Sequence, residues 1–358
     1  MIKKTSDDSE PRRVTIGKLL KAIGDPAPIK TLGDYIAAVR VIAESWQEED
    51  WIKVERDPDD VLNHTRIVGQ VWFRGQSDPN SSLRPGLYRE STKRDLNKQP
   101  GSPKPDGKNE RHLFCELFDL EHEQRIDFTS YGHLLNEANQ AKTATDWYFL
   151  MQHHGVPTRL LDWTTNALAA LYFAFDAYNH RLQSVRELCP DPAAIRALGR
   201  TVAVWAIDAY WLANRLSEQW SGPLLPWSED AERYIPKLES LIEKLDQSRA
   251  LVPDYAMPIE PAAMHPRVAA QEGRFIIFGK TQDLLDEEVR LERKFDGTTE
   301  ELRVRKIRFQ VQDVESLLRD LAQLGVSKRT LFPDLDGLAE FVRWKHFHKV
   351  SGYKLKHS

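Results

Sequence analysis

Cysteine is nearly missing from this chain: its 358 residues contain two, Cys115 and Cys189, in different segments. That excludes a disulfide framework, a zinc knuckle and a CxxC redox pair, and leaves both thiols as buried or bystander side chains. A charge of one sign is missing too. Fifty basic against fifty-four acidic side chains give a net charge of -4, so there is no global basic field of the kind a dedicated nucleic-acid binder carries, though a local basic patch stays open. No apolar run approaches the ~18 residues that a membrane span needs. The first residues, MIKKTSDDSEPRR, hold no apolar signal-like segment. There is no internal repeat. The expectation is a protein of a reducing cytoplasm, long enough to bury a sizeable core and without a membrane partner.

What is present is a concentration of chemistry. Gln152-His153-His154-Gly155-Val156-Pro157-Thr158-Arg159-Leu160-Leu161-Asp162-Trp163-Thr164-Thr165 crowds hydroxyl, imidazole, guanidinium and carboxylate groups into fourteen residues with one Gly and one Pro. A segment built only to pack has little use for that mixture. Downstream, Leu168, Leu171, Tyr172 and Phe175 recur at helical spacing and predict a buried helix, capped by Thr164, Thr165 or Asn166. Upstream, Ile67 to Gln76 is rich in β-branched and aromatic residues and ends in turn formers, which predicts a strand. Alternation then puts Val71 and Phe73 on one face and Trp72 and Arg74 on the other, with Arg74 at the rim of a cleft. Taken alone, Arg74 reads as readily as an ordinary surface ion pair.

The rest of the pattern is helix-rich. Residues 1–30 read as a charged, frayed tail with one short turn. Thr31 caps a helix facing inward through Tyr35, Ile36, Val39, Ile42, Ala43 and Trp46. Leu83 to Arg89 is a turn carrying Arg84 and Arg89, and 91–110, broken by Pro and Gly, reads as a mobile loop. Helices are expected over Arg111 to Glu123 and Ala141 to Met151, a strand over Thr201 to Ile207, and two helices across 208–250. A turn runs into a strand through Arg267 to Gly279. Leu302 to Val311 reads as a strand with a bulge or face switch near Arg305 and Lys306, and helices follow Asp313 and Leu331. Residues 346–358 are a basic tail. The predicted architecture is α+β: one helix-rich domain over 31–345, its core over about 65–345, around a small split β-sheet.

Three stretches carry a family resemblance. Phe73-Arg74-Gly75, the HHGVPTRLLDWT run with its following ALAALYFAF helix, and AQEGRFIIF resemble, in order, the FRG-domain family, which is named for the first of them. Its members resemble bacterial proteins of mobile and defence islands, so the resemblance implies a conditional effector in phage defence or toxicity without supplying a reaction. A fainter resemblance is to ADP-ribosyltransferases. In those folds an aromatic-Arg-Gly strand supplies an arginine for the nicotinamide dinucleotide, a Ser/Thr strand leads into an Ala-Phe-rich helix, and a later strand carries Gln/Glu-x-Glu. The order here is Arg74, then Asp162-Trp163-Thr164 before Ala169 to Phe175, then Gln271-Glu272-Gly273 before Phe275. The chain departs from that pattern in lacking a Ser-Thr-Ser triplet and in having Gly273 where those enzymes place a carboxylate.

The second resemblance implies NAD or a related nucleotide as substrate, with no resident cofactor. It makes Arg74, Thr164, Gln271 and Glu272 the expected catalytic set, with Gln76, Arg84, His153, His154, Thr158, Arg159, Asp162 and Trp163 binding substrate. Arg74 would clamp a phosphate bidentately, Thr158 or Thr164 would orient the ribose, and Glu272 or Asp162 would stabilise an oxocarbenium-like state. Each has a plainer reading. Arg159 and Asp162 pair with each other or with backbone; Trp163 is core; Gln271 bonds a neighbouring strand. The adjacent histidines diverge, and no third ligand makes a metal site with them. In a strand, Glu272 faces away from Gln271, so only one of the two can face Arg74. A non-catalytic module that recognises a nucleotide or a protein through the same cleft is the competing class. The acceptor, protein or nucleic acid, is not written in these residues.

Overall fold

The β-branched and aromatic run of Val71 to Gln76 and the compact apolar run of Thr201 to Asp208 become two neighbouring strands inside a six-stranded sheet. The computed structural model of the protein describes residues 12–24, 26–47, 71–89, 107–135, 141–188, 191–217, 222–261, 266–291 and 302–347. In chain order the strands are β1 (Arg12–Thr15), β2 (Val71–Gln76), β3 (Leu160–Thr164), β4 (Thr201–Asp208), β5 (Met257–Ile259), β6 (Gly273–Ile277), β7 (Glu288–Leu291) and β8 (Val304–Gln310). The helices are α1 (Ile16–Ile23), α2 (Leu32–Gln47), α3 (Gly107–Gly132), α4 (Ala144–His153), α5 (Ala167–Leu188), α6 (Pro192–Ala197) and α7 (Ala209–Leu216). They continue with α8 (Glu229–Tyr234), α9 (Leu238–Leu251), α10 (Pro266–Ala270), α11 (Val314–Gln323), α12 (Lys328–Leu331) and α13 (Leu335–Phe347). The architecture is α+β, and no helix among the described residues is long and apolar enough to cross a membrane.

The main sheet runs β5-β6-β3-β2-β4-β8, antiparallel throughout. β2 and β4 are matched over their whole length, from Val71↔Asp208 to Gln76↔Ala203, and β3 and β6 from Leu160↔Ile277 to Thr164↔Gly273. Between β2 and β3 the register holds a single pair, Phe73↔Thr164. Two three-stranded halves are therefore joined at one point and part beyond it.

Packing follows from that division. One face is a shared core in which Trp72, Trp163, Trp205 and Ile276 from both halves pack together. The opposite face carries two separate cores. Over β2, β4 and β8 it holds Phe73, Val204 and Phe309 against α2, α5 and α11; over β3, β5 and β6 it holds Leu160, Met257 and Phe275 against α4, α7 and α8. Each fully buried Leu or Phe contributes about 2 kcal/mol. Asn166 fixes where α5 begins, its Oδ1 accepting from the backbone N–H of Leu168 at 3.1 Å and of Ala169 at 3.0 Å.

Gly75 and the alanines of α5 explain one another. A Cβ at Gly75 would lie 1.9 Å from the Ala170 carbonyl oxygen and 2.7 Å from the Ala174 nitrogen, both backbone atoms that cannot swing aside. The helix rests directly on β2 because Ala169, Ala170 and Ala174, each buried, keep its surface thin. Gly75→Ala is expected to lose about 1–3 kcal/mol or more to this overlap, read as a lower urea midpoint with unchanged slope. An unchanged midpoint would mean that α5 sits further from the sheet.

The structure corrects the sequence reading in four places. The stretch read as a charged tail contains β1, which pairs with β7, and α1, whose Ile16 is fully buried in the shared core; Thr15 caps it by accepting from the Lys18 N–H. β8 has the expected face switch at Arg305 and Lys306 and no bulge: Leu302 and Val304 enter the shared core, Ile307, Phe309 and Val311 the core of the opposite face. Its register with β4 is continuous, and its outer edge is capped at Arg308 to Gln310 by a parallel bridge to Ile29. The segment 208–250 holds three helices rather than two, and α3 runs on to Gly132. In α2, Ile36 is exposed while Tyr35 and Trp46 carry the burial. Most of the expected loop over 91–110, the tail beyond Phe347, the first part of the strand expected from Ile67, and Cys189 lie outside the described residues. Cys115 is a half-buried free thiol.

Candidate functional site

A cleft of about 620 Å³ opens where β2 and β3 part, between the two cores of that face. Arg74 reaches across the gap: its Nη1 donates to the Asp162 carbonyl at 2.6 Å, replacing a bond that the strands themselves do not make, and lies 3.9 Å from the Asp162 carboxylate. Asp162 is presented by alternation in β3, since Leu161 and Trp163 enter the shared core and Asp162 and Thr164 face the other way. Gln152, at the end of α4, donates its amide to both Asp162 carboxylate oxygens, at 2.9 and 3.1 Å, and accepts from the Thr158 hydroxyl at 2.6 Å. Phe73, Phe149, Phe173, Phe275 and Phe332 supply apolar wall.

The charges are unequal in setting. The Arg74 side chain is 13% exposed; burial lowers its pKa to about 10, with Asp162 opposing and Arg89 adding, so it stays charged at neutral pH. Its Nε is buried without a hydrogen-bond partner among the described residues. The Asp162 side chain is 58% exposed and open to the cleft. Arg267, from α10, stacks 4.1 Å over the Phe332 ring; burial lowers its pKa, with Asp334, Asp162 and Glu340 opposing. His153 and, on α5, Asp176 and His180 complete the rim. Among the described residues no group of three His, Cys, Asp or Glu side chains is arranged to hold a metal ion.

Of the residues singled out from sequence, Arg74, Thr164, Gln271, His153, Asp162 and Trp163 line this cleft. Thr164 is occupied in the wall, donating to the Gln271 carbonyl at 2.6 Å and accepting from the Asn166 N–H at 3.0 Å. Gln271 donates its amide to the Leu331 carbonyl at 3.0 Å. Trp163 contributes to the wall while its ring belongs to the shared core.

The others stand elsewhere. Glu272 accepts from Thr165 Oγ1 at 2.8 Å and Asn166 Nδ2 at 3.2 Å, away from Arg74. Strand alternation does not govern it: β6 begins at Gly273, and Glu272 sits in a left-handed turn with φ of 48°. Thr158 is fully buried and holds Gln152. Arg159 is 1% exposed and pairs at 2.8 Å with Glu121 of α3, not with Asp162. Gln76 is a core residue between Trp205 Nε1 and the Ser82 carbonyl, and Arg84 pairs with Asp283 at 3.3 Å. His154 is exposed and lines a separate hollow with Phe128 and Tyr131, its ring perpendicular to that of His153. Sequence reading passed over Gln152, Arg267, Asp176, His180 and the phenylalanines. Gln152 opens the fourteen-residue stretch and Arg267 the turn before β6, but nothing local marks which of these residues share a cavity.

A mixed α+β protein whose divided sheet exposes one arginine-bearing cleft is the class that this geometry defines. The chain carries an FRG domain, matched over residues 69–183, a span that includes Arg74, the central stretch and most of α5. No curated protein and no solved structure matches the chain.

Proposed function

We propose that the cleft binds NAD or a related nucleotide and that Asp162 is the carboxylate facing the ribose–nicotinamide bond. Arg74 carries this reading: a charged, mostly buried guanidinium at the parting of the sheet, with an Nε that no described residue satisfies. A buried donor left unpaired costs about 1–3 kcal/mol, and a phosphate oxygen entering the cleft would remove that cost. Support also comes from order along the chain. The three stretches that resemble ADP-ribosyltransferase motifs lie on or just before β2, β3 and β6, which are neighbours in the sheet. In the proposed reaction the bond between ribose C1′ and nicotinamide breaks heterolytically and nicotinamide leaves as a neutral base. Asp162 offsets the positive charge on the ribose until an acceptor attacks. Glu272 has no part in this step. The setting we propose is bacterial defence or toxicity, as the family resemblance implies.

Incubation with NAD tests the proposal through nicotinamide release. Arg74→Ala is expected to weaken NAD binding by about 10–100-fold. Asp162→Asn is expected to slow release by about 10²–10³-fold with binding kept. One observation favours recognition without turnover: Gly273 stands where the resembling enzymes place a carboxylate, Gln271 is an amide bonded to the Leu331 carbonyl, and Glu272 is turned to Thr165 and Asn166. That reading predicts NAD binding that depends on Arg74 with no nicotinamide released. Absence of NAD binding by calorimetry would remove both readings.

A further inference from the structure

Asp176 and His180, one turn apart on α5, each line two hollows. On one side is the cleft at the parting of the sheet. On the other is a second cavity of about 470 Å³, between α5, α11, α12 and α13. Either volume suits part of a small ligand, and only this narrow ridge lies between them.

The ridge carries both signs at its crest. Lys328 Nζ lies 3.6 Å from Asp176 Oδ2, 3.0 Å from Glu340 Oε2 and 4.3 Å above the ring of Phe332, which itself lines the first cleft. Beyond it the chemistry changes. Phe341 and Trp344 on α13 line the second cavity with ring centroids 5.9 Å apart and tilted by 36°, the Arg329 guanidinium lying 5.4 Å over the Phe341 ring. Asn179 and Gln183, again one turn apart on α5, line the same cavity, and no described residue hydrogen-bonds either amide. Flat aromatic faces beside two unoccupied amides, each with donors and an acceptor, suit a nucleobase: the rings stack on it and the amides read its edge. Lys328, whose ammonium has three N–H donors and two carboxylate partners, has one N–H left for the phosphates that would join such a base to a ligand in the first cleft.

We infer that the second cavity is the subsite for the distal base of a dinucleotide whose other half occupies the first cleft. This rests on the nucleotide reading above, and it extends the site to α13, beyond the matched FRG domain.

Calorimetry with two probes separates the claims. NAD carries both bases, whereas nicotinamide mononucleotide carries only the half assigned to the first cleft. The unaltered protein is expected to bind NAD on the order of tenfold more tightly than the mononucleotide. The double variant Asn179→Ala/Gln183→Ala, on the outer surface of α5, is expected to bring NAD to within about twofold of the mononucleotide and to leave the mononucleotide's affinity unchanged. Trp344→Leu should do the same through loss of stacking. If NAD binds both variants as tightly as it binds the unaltered protein, or if the mononucleotide binds as well as NAD, the subsite is wrong and the first cleft stands. If neither probe binds the unaltered protein, the nucleotide reading fails and takes the subsite with it.

Discussion

Glu121→Ala is expected to lower folding stability by about 3–5 kcal/mol, because it leaves a guanidinium buried without its counter-charge. Arg159 is 1% exposed and Glu121 2%. The Glu121 carboxylate accepts from Arg159 Nε at 2.8 Å, from the Arg159 backbone N–H at 3.1 Å and from the Tyr148 hydroxyl. The rest of the guanidinium is committed to carbonyls, Nη1 to Phe278 at 3.0 Å and Nη2 to Tyr234. Burial alone would lower the Arg159 pKa, but Glu121 foremost, with Tyr148 and Tyr88, outweighs it and holds the value above its ordinary one. Five segments thus meet on one cation: α3, α4, the entry to β3, the exit of β6 and the end of α8. Urea denaturation at neutral pH reads the loss. Replacing both partners with apolar groups, Glu121→Leu with Arg159→Met, should cost clearly less than the two single changes together, since no bare charge remains. A single-variant loss below about 1 kcal/mol would show that water reaches the pair after all.

The function of that network also explains the oddness of the central stretch. Arg159 and Thr158 are not ligand groups facing the cleft; they set the position of Asp162, three residues on from Arg159, and of Gln152, which Thr158 holds. Read from sequence, the polar residues of 152–165 look like one site. In the structure they alternate between gripping the scaffold and facing the cleft, and only their partners distinguish the two roles.

Local pattern was enough for the elements that pack by pattern. β2, β4 and α5 stand close to where alternation and helical spacing put them, and Asn166 caps α5 as a residue of that kind should. What could not be read depends on partners far along the chain. Glu121 lies 38 residues before Arg159, and nothing at either position names the other. The single-pair junction of β2 and β3 is a matter of register, which a strand's own residues do not encode. Gly75 carries meaning only once Ala170 is known to lie above it. From sequence, the choice between Gln271 and Glu272 is a question of strand faces, whereas a left-handed turn at Glu272 decides it. β1 and α1 were hidden by the charged residues around a few apolar ones, Val14, Ile16, Leu19 and Leu20, that reach the core.

Glu287→Gln is expected to remove a stability loss of roughly 2–5 kcal/mol that the unaltered protein suffers between about pH 4.5 and pH 8. Glu287, next to β7, is 2% exposed and accepts from the Ala256 N–H at 2.7 Å. Burial pushes its pKa up to about 8; the Ala256 hydrogen bond opposes this, and Asp286, Asp254 and Asp283 add to it. In the unfolded chain the same carboxyl ionises near its ordinary value of 4.5. Below that pH both states hold the proton and the group is neutral in its effect. Between the two values the folded state binds a proton that the unfolded state has released, so stability falls as pH rises. Above about 8 both are ionised and the penalty is at its full size and flat. A glutamine keeps an oxygen for the Ala256 N–H and never ionises. The two proteins should therefore be close in stability at pH 4.5, and the variant should be ahead by the full amount at pH 9. Other buried carboxyls such as Asp283 remain in both and cancel in the difference. Urea midpoints at pH 4.5, 7 and 9 measure the divergence, and parallel curves for the two proteins would show that Glu287 is ionised in the folded state throughout.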